Sequence, residues 1–65
     1  MDMDTLLETL DNRIKTNEAL VNSIEGYLVL YRDRDNQING ILRRGLECFK
    51  AVIRELMEIK AELTR

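Results

Sequence analysis

The chain has no histidine, no proline and no tryptophan, and it has a single cysteine, Cys48. A lone cysteine excludes a disulfide within the chain, and one thiol without histidine falls far short of the ligand set of a zinc site. A domain of 65 residues buries little apolar surface by itself and usually needs a disulfide, a metal or a partner chain. Because the first two are excluded, the sequence favours stabilisation by a partner chain.

Long hydrophobic runs are also missing from the sequence. No apolar stretch approaches the roughly 18 residues of a membrane span, and no signal-peptide pattern opens the chain. A free thiol without a disulfide partner is typical of a reducing compartment. We therefore expect an intracellular protein, cytoplasmic or nuclear, that does not bind membranes. We interpret Cys48 as a small, buried apolar side chain.

Catalytic and nucleotide-binding motifs are absent as well. No serine or cysteine stands beside a recognisable base, and the chain contains neither GxxxxGK[ST] nor GxGxxG. The segment from Asp35 to Leu46 has the acidic start and central glycine of a calcium loop. However, Gln37 and Leu46 occupy positions at which such a loop needs carboxylate ligands. We expect no enzyme activity, no cofactor and no bound metal.

What the sequence does contain is a long helical repeat. Alternating steps of three and four residues from Leu7 reach seventeen positions, of which fourteen are apolar or aromatic. This pattern is typical of helices packed as in a coiled coil, and it predicts an all-α fold. The residues that we expect in the interface or core are Leu7, Leu10, Ile14, Val21, Ile24, Leu28, Tyr31, Ile38, Leu42, Phe49, Val52, Leu56, Ile59 and Leu63.

Further apolar residues widen this stripe beyond a single seam. The flanking positions include Leu6, Leu20, Tyr27, Ile41, Leu46, Cys48 and Ile53. A two-stranded coiled coil prefers charged residues at such positions, whereas a helix with neighbours on two sides accepts apolar ones. We therefore expect an oligomer, most simply a homodimer, or a subunit that docks onto other helical proteins.

The stretch YRDRDNQING, residues 31–40, decides between a hairpin and a rod. Aspartate, asparagine and glycine are poor helix-interior residues, and Asn39-Gly40 readily adopts the positive φ of a turn. We therefore predict a single domain over residues 1–65 with a helix at 4–32, a turn at 33–40 and a second helix at 41–64. The unbroken repeat favours the alternative, one continuous long helix in an oligomeric coiled coil.

Charge supports antiparallel packing of the two halves. Residues 1–31 carry six acidic and two basic side chains, net −4, whereas residues 32–65 carry six acidic and eight basic ones, net +2. Antiparallel packing places the acidic half beside the basic half. The architecture that we favour is a hairpin of two antiparallel helices that assembles into a coiled-coil-like four-helix bundle. At its start, Thr5 and Glu8 have the spacing of a capping box.

Two function classes follow from this architecture. The first is a non-enzymatic structural or scaffold protein that acts through helix-mediated oligomerisation. The second is a small regulator that binds RNA or DNA through a basic face of the second helix, formed by Arg43, Arg44, Lys50 and Arg54. In its length and the position of its expected turn, the chain is similar to the small RNA-binding four-helix-bundle proteins of the Rop type. That resemblance is one of architecture, and it carries over no residue.

Overall fold

A computed structural model of the chain describes residues 2–31 and 37–65, and both parts are helical. Helix α1 spans Met3–Leu30 and helix α2 spans Gln37–Leu63. These described residues contain no strand. The all-α fold class is therefore confirmed.

The two helices pack against each other in opposite directions. Asp11 pairs with Lys60 and Glu25 pairs with Lys50, so residue numbers rise along one helix as they fall along the other. The chain measures 47 × 16 × 14 Å, which is the length of one of these helices and not of two end to end. The molecule is a helical hairpin, and the alternative of one continuous helix is wrong.

Helix α1 begins with Asp2 as its N-cap. The Thr5 backbone N–H donates a hydrogen bond to Asp2 Oδ1 at 2.7 Å, and Asp4 adds negative charge in the first turn. The expected capping box is therefore wrong, because Thr5 contributes its backbone donor and not a capping side chain. The helix starts at Met3, one residue before the predicted position.

This cap makes the start of α1 sensitive to acid. The hydrogen bond from the Thr5 backbone N–H lowers the pKa of Asp2 below its ordinary value of 3.8. A lowered pKa stabilises the fold at a pH above the ordinary value, and this contribution is lost as the pH falls through the lowered one. We expect the variant Asp2→Asn to lose helical circular dichroism less steeply than the wild type below about pH 4. Asp4→Asn, which removes the same charge without the cap bond, is the control, and identical acid transitions for both variants would contradict the assignment.

Helix α2 begins at Gln37, inside the turn predicted at residues 33–40. Residues 33–36 lie outside the described residues, whereas the stretch from Gln37 to Gly40 is helical and has no positive φ. Asn39 explains the difference. Its side chain is 2% exposed, and its Nδ2 donates to the Tyr31 carbonyl at 3.0 Å. Composition assigns this asparagine to a turn, but it lies in α2 and donates a hydrogen bond to a carbonyl group at the C-terminal end of α1.

The first helix buries the face that the repeat predicted. Leu10, Ile14 and Val21 are buried. Partial burial extends this stripe to Leu7, Asn17, Ile24, Leu28 and Tyr31. Helix α1 ends at Leu30, two residues before the predicted end, and the Tyr31 N–H closes its last turn on the Tyr27 carbonyl at 3.0 Å.

The second helix buries a face that is rotated from the predicted one. Its buried stripe recurs with the same spacing but consists of Asn39, Leu42, Leu46, Phe49, Ile53, Leu56, Lys60 and Leu63, with the partly buried Gly40 and Gly45 beside it. Four predicted positions, Leu42, Phe49, Leu56 and Leu63, belong to this stripe. The other three, Ile38, Val52 and Ile59, are exposed and lie outside the core of the hairpin. Each is replaced in the core by the residue that follows it.

Polar contacts at both ends of the stripe account for this rotation. At one end Asn39 reaches the Tyr31 carbonyl, and at the other Lys60 Nζ lies 2.6 Å from Asp11 Oδ1. Between them the rotated stripe buries Leu46, whereas the predicted register places Gly45 at that level. A buried leucine contributes more apolar contact than a glycine, which favours the rotated register at this level.

Candidate interaction surface

One side of the hairpin is charged. In α1, Glu18 and Glu25 follow the core residues Asn17 and Ile24, and Lys50 follows Phe49 in α2. Lys50 Nζ lies 3.8 Å from Glu25 Oε2, with both side chains nearly half exposed. Half-exposed pairs of this kind contribute at most about 1 kcal/mol each. These ion pairs therefore favour the antiparallel orientation over the parallel one but add little to the stability of the hairpin.

A surface groove shows which flanks of the two helices share a side. Asp11 and Glu18 of α1 line the groove together with Met57 and Thr64 of α2. In each helix these positions follow the buried stripe on the same flank. The opposite flanks, which carry the residues that precede the stripe, must therefore share the other side of the hairpin.

That other side is apolar. It consists of six large side chains, each between 38% and 57% exposed, which we call the apolar face: Leu20, Tyr27, Ile38, Ile41, Val52 and Ile59. The described residues leave ten large apolar side chains exposed, and these six lie on one side of the molecule. Because a contiguous apolar patch on a small protein typically marks an interaction site, the apolar face is the candidate functional surface.

Small residues separate the large ones along the α2 part of the apolar face. Gly45 lies between Ile41 and Val52, and a Cβ atom built on it would meet nothing within 4 Å. Cys48 follows one turn later and is exposed, so its interpretation as a buried side chain is wrong. The rotation of α2 places both residues beside the core stripe, with Gly45 partly buried. Only small side chains therefore lie between Ile41 and Val52 on this face.

Aromatic side chains close one end of the apolar face. The ring of Tyr27 in α1 stacks on the ring of Tyr31, the C-cap of α1, with the two centroids 4.6 Å apart and the planes tilted by 36°. Tyr31 is partly buried beside the turn, whereas Tyr27 is exposed on the face. Tyrosine combines a large apolar ring with a polar tip, which suits a surface that another chain covers.

Acidic residues lie among and beside the basic residues predicted as a nucleic-acid face. Arg43, Arg44, Lys50 and Arg54 are all exposed. However, Lys50 is paired with Glu25, and Glu47 lies between the arginines along the helix. Acidic residues of α1 border this side of the hairpin. Their negative charge opposes the approach of a phosphate backbone.

Comparison of the chain with protein-family models, with curated proteins and with solved structures gave no match. The apolar face is therefore interpreted from its own geometry. Neither helix of the described chain is long and apolar enough to cross a membrane. Residues 2–31 and 37–65 also hold no group of three or more cysteine, aspartate or glutamate side chains that could bind a metal ion.

The rotation of α2 explains why the sequence predicts the individual residues of the apolar face but not that they share one side of the hairpin. Leu20, Tyr27 and Ile41 were predicted as flanking positions, and Ile38, Val52 and Ile59 as seam positions. The structure brings these six residues together because α2 is rotated. The signal available in the sequence was the width of the stripe, from which we expect surface for a further neighbour.

Proposed function

We propose that the protein is a non-enzymatic assembly module whose apolar face binds a second copy of the hairpin, forming a four-helix bundle. The observation that carries this proposal is the apolar face, with six large side chains on one side of a two-helix molecule. Covering that face with the same face of a second copy removes both from water. The proposal accounts for the width of the apolar stripe as well as for its period.

The small core of the hairpin supports the same proposal. Leu10, Ile14, Val21 and Leu46 are the buried apolar side chains of the described residues. A core of this size falls short of what a domain without disulfides or metals needs, because conformational entropy opposes the ordering of every residue. Burial of a second apolar layer between two copies would supply the missing stabilisation.

The variant Val52→Glu tests this proposal. It places a charge in the middle of the apolar face, and twofold symmetry places it there twice in each dimer. We expect the dissociation constant of the dimer to rise at least about tenfold, since burial of an unpaired charge costs more than 1.4 kcal/mol. Sedimentation equilibrium measures the change, and the wild type should have about twice the 7.6 kDa mass of the chain.

Ala19→Glu is the matched control for this measurement. Ala19 is exposed on the outer side of α1, away from the apolar face, so the variant adds the same charge without reaching the interface. It should leave the dissociation constant unchanged. A wild-type chain that is folded and monomeric at micromolar concentration would refute the proposal. If that monomer bound RNA with an affinity that falls steeply with salt, the regulator hypothesis would take its place.

A further inference from the structure

Three residues of the apolar face, Ile38, Val52 and Ile59, are evenly spaced along α2 together with Gly45. Ile38 and Ile59 form an outer pair, Gly45 and Val52 form an inner pair, and both pairs have their midpoint between Cys48 and Phe49. A twofold interface is self-complementary, so that residue i meets residue j and residue j meets residue i. An antiparallel pair of α2 helices centred on this point would set isoleucine against isoleucine and glycine against valine.

Helix α1 shows a matching centre. Leu20 and Tyr27 are its exposed members of the apolar face, and their midpoint lies between Ser23 and Ile24. The ion pairs Glu25–Lys50 and Asp11–Lys60 fix the relative height of the two helices. At that height the centres of α1 and α2 lie side by side to within about one turn. A single twofold axis across the hairpin can therefore relate both α1 and α2 to their counterparts in a second copy.

Charge along the outer edge of the α2 stripe supports the same arrangement. Arg44 lies on the N-terminal side of the centre, and Glu55 and Glu58 lie on the C-terminal side. Antiparallel pairing brings Arg44 of one copy to within about 3 Å of the height of Glu55 in the other, at ~1.5 Å per residue. Parallel pairing would instead set Glu55 beside Glu55, which is repulsive.

Packing α2 on α1 of a second copy is less favourable. With the turns at the same end, Ile59 would face Arg13, which is exposed on the same flank of α1. Thr9 and Thr16 occupy neighbouring positions there. Val52 and Gly45 would lie near Leu20 and Tyr27, but the outer part of the α2 stripe would cover polar residues, whereas pairing α2 with α2 covers the stripe with itself.

From this symmetry we infer that the partner of the apolar face is a second copy placed with its α2 antiparallel to α2, about a twofold axis that passes beside Cys48. The inference rests on the proposed self-assembly and specifies its geometry. The turns lie at opposite ends of the bundle, and Gly45 admits Val52 of the second copy. Cys48, the single cysteine of the chain, lies next to its own counterpart.

Distances between spin labels test the arrangement. A nitroxide on native Cys48 should lie within about 20 Å of its counterpart, which is the separation of neighbouring helices plus label lengths. Moving the label to Ala61→Cys in a Cys48→Ser background displaces the two labels in opposite directions from the axis. We expect a separation of about 40 Å there, and a slightly longer one for Thr64→Cys in the same background. Ala61 and Thr64 are both exposed, so these labels lie outside the hairpin core.

The outcomes separate this inference from the proposed function. Equal separations at Cys48 and Ala61→Cys in a sample with the mass of a dimer would overturn the antiparallel arrangement, because both parallel and end-aligned dimers keep label distances constant along the helix. Self-assembly itself would then stand. Absence of dipolar coupling in a sample with the mass of a monomer would overturn both. A Thr64→Cys separation about 9 Å longer than that of Ala61→Cys would support the antiparallel arrangement independently of a local effect of either label.

Discussion

Replacement of Leu46 by alanine should lower the free energy of unfolding by about 2–4 kcal/mol, as large-to-small substitutions in cores do. Leu46 is 8% exposed and is the one apolar residue of α2 that is buried. It faces the buried stripe of α1, so its loss removes contacts that no neighbouring side chain can restore. Urea unfolding followed by circular dichroism measures the change at a fixed protein concentration, because assembly makes stability depend on concentration.

Leu30→Ala is the matched control for Leu46→Ala. Leu30 is 79% exposed at the end of α1, so the same chemical change there should alter the free energy of unfolding by less than about 0.5 kcal/mol. The comparison also tests the register of α2. A cost below about 1 kcal/mol for Leu46→Ala would mean that this helix presents a different face to α1.

Replacement of Asn39 by alanine should cost about 2 kcal/mol, which is large for a residue next to a turn. The Asn39 side chain is the buried polar group of the described residues, and its Nδ2 donates to the Tyr31 carbonyl. Alanine removes the donor, leaves that carbonyl without this partner and opens a small void. The sequence alone would predict the opposite sign, because alanine is a better helix former than asparagine.

Asn22→Ala isolates that intrinsic preference. Asn22 is exposed on the outer side of α1, so alanine should stabilise the protein slightly there. Urea unfolding of both variants gives the difference between the two sites. If Asn39→Ala were as stable as Asn22→Ala, the bond to Tyr31 would have no part in holding the two helices together.

The sequence predicted α1 better than α2, for a physical reason. In α1 one stripe contains clearly more apolar residues than the positions beside it. Periodicity therefore identifies Leu10, Ile14 and Val21 as core residues without knowledge of how α2 packs. In α2 two apolar stripes lie side by side, and periodicity cannot choose between them. The choice depends on Asn39 and Lys60, whose partners Tyr31 and Asp11 belong to the other helix.

The same limit applies to the turn and to the apolar face. Local propensity correctly places a break between the helices, but it assigns Asn39 and Gly40 to that break because it has no term for a hydrogen bond to Tyr31. The continuity of the repeat from Tyr31 to Ile38 carries no information, since a chain reversal uncouples the phase of one helix from that of the next. Which residues share the apolar face depends on that phase. The sequence therefore identifies the six residues as apolar positions but cannot predict that they lie on one side of the hairpin.

The bond between Asn39 and Tyr31 also gives the hairpin a direction of folding. It joins residues 8 apart in the chain, whereas the contact of Lys60 with Asp11 joins residues 49 apart. The entropy lost on closing a loop grows with the length of the loop, so the contact beside the turn forms at the lowest cost. Each further contact between the helices then closes only a short additional segment. We therefore expect the helices to pair first beside Asn39 and Tyr31 and last near Asp11 and Lys60, where the pairing should also open first.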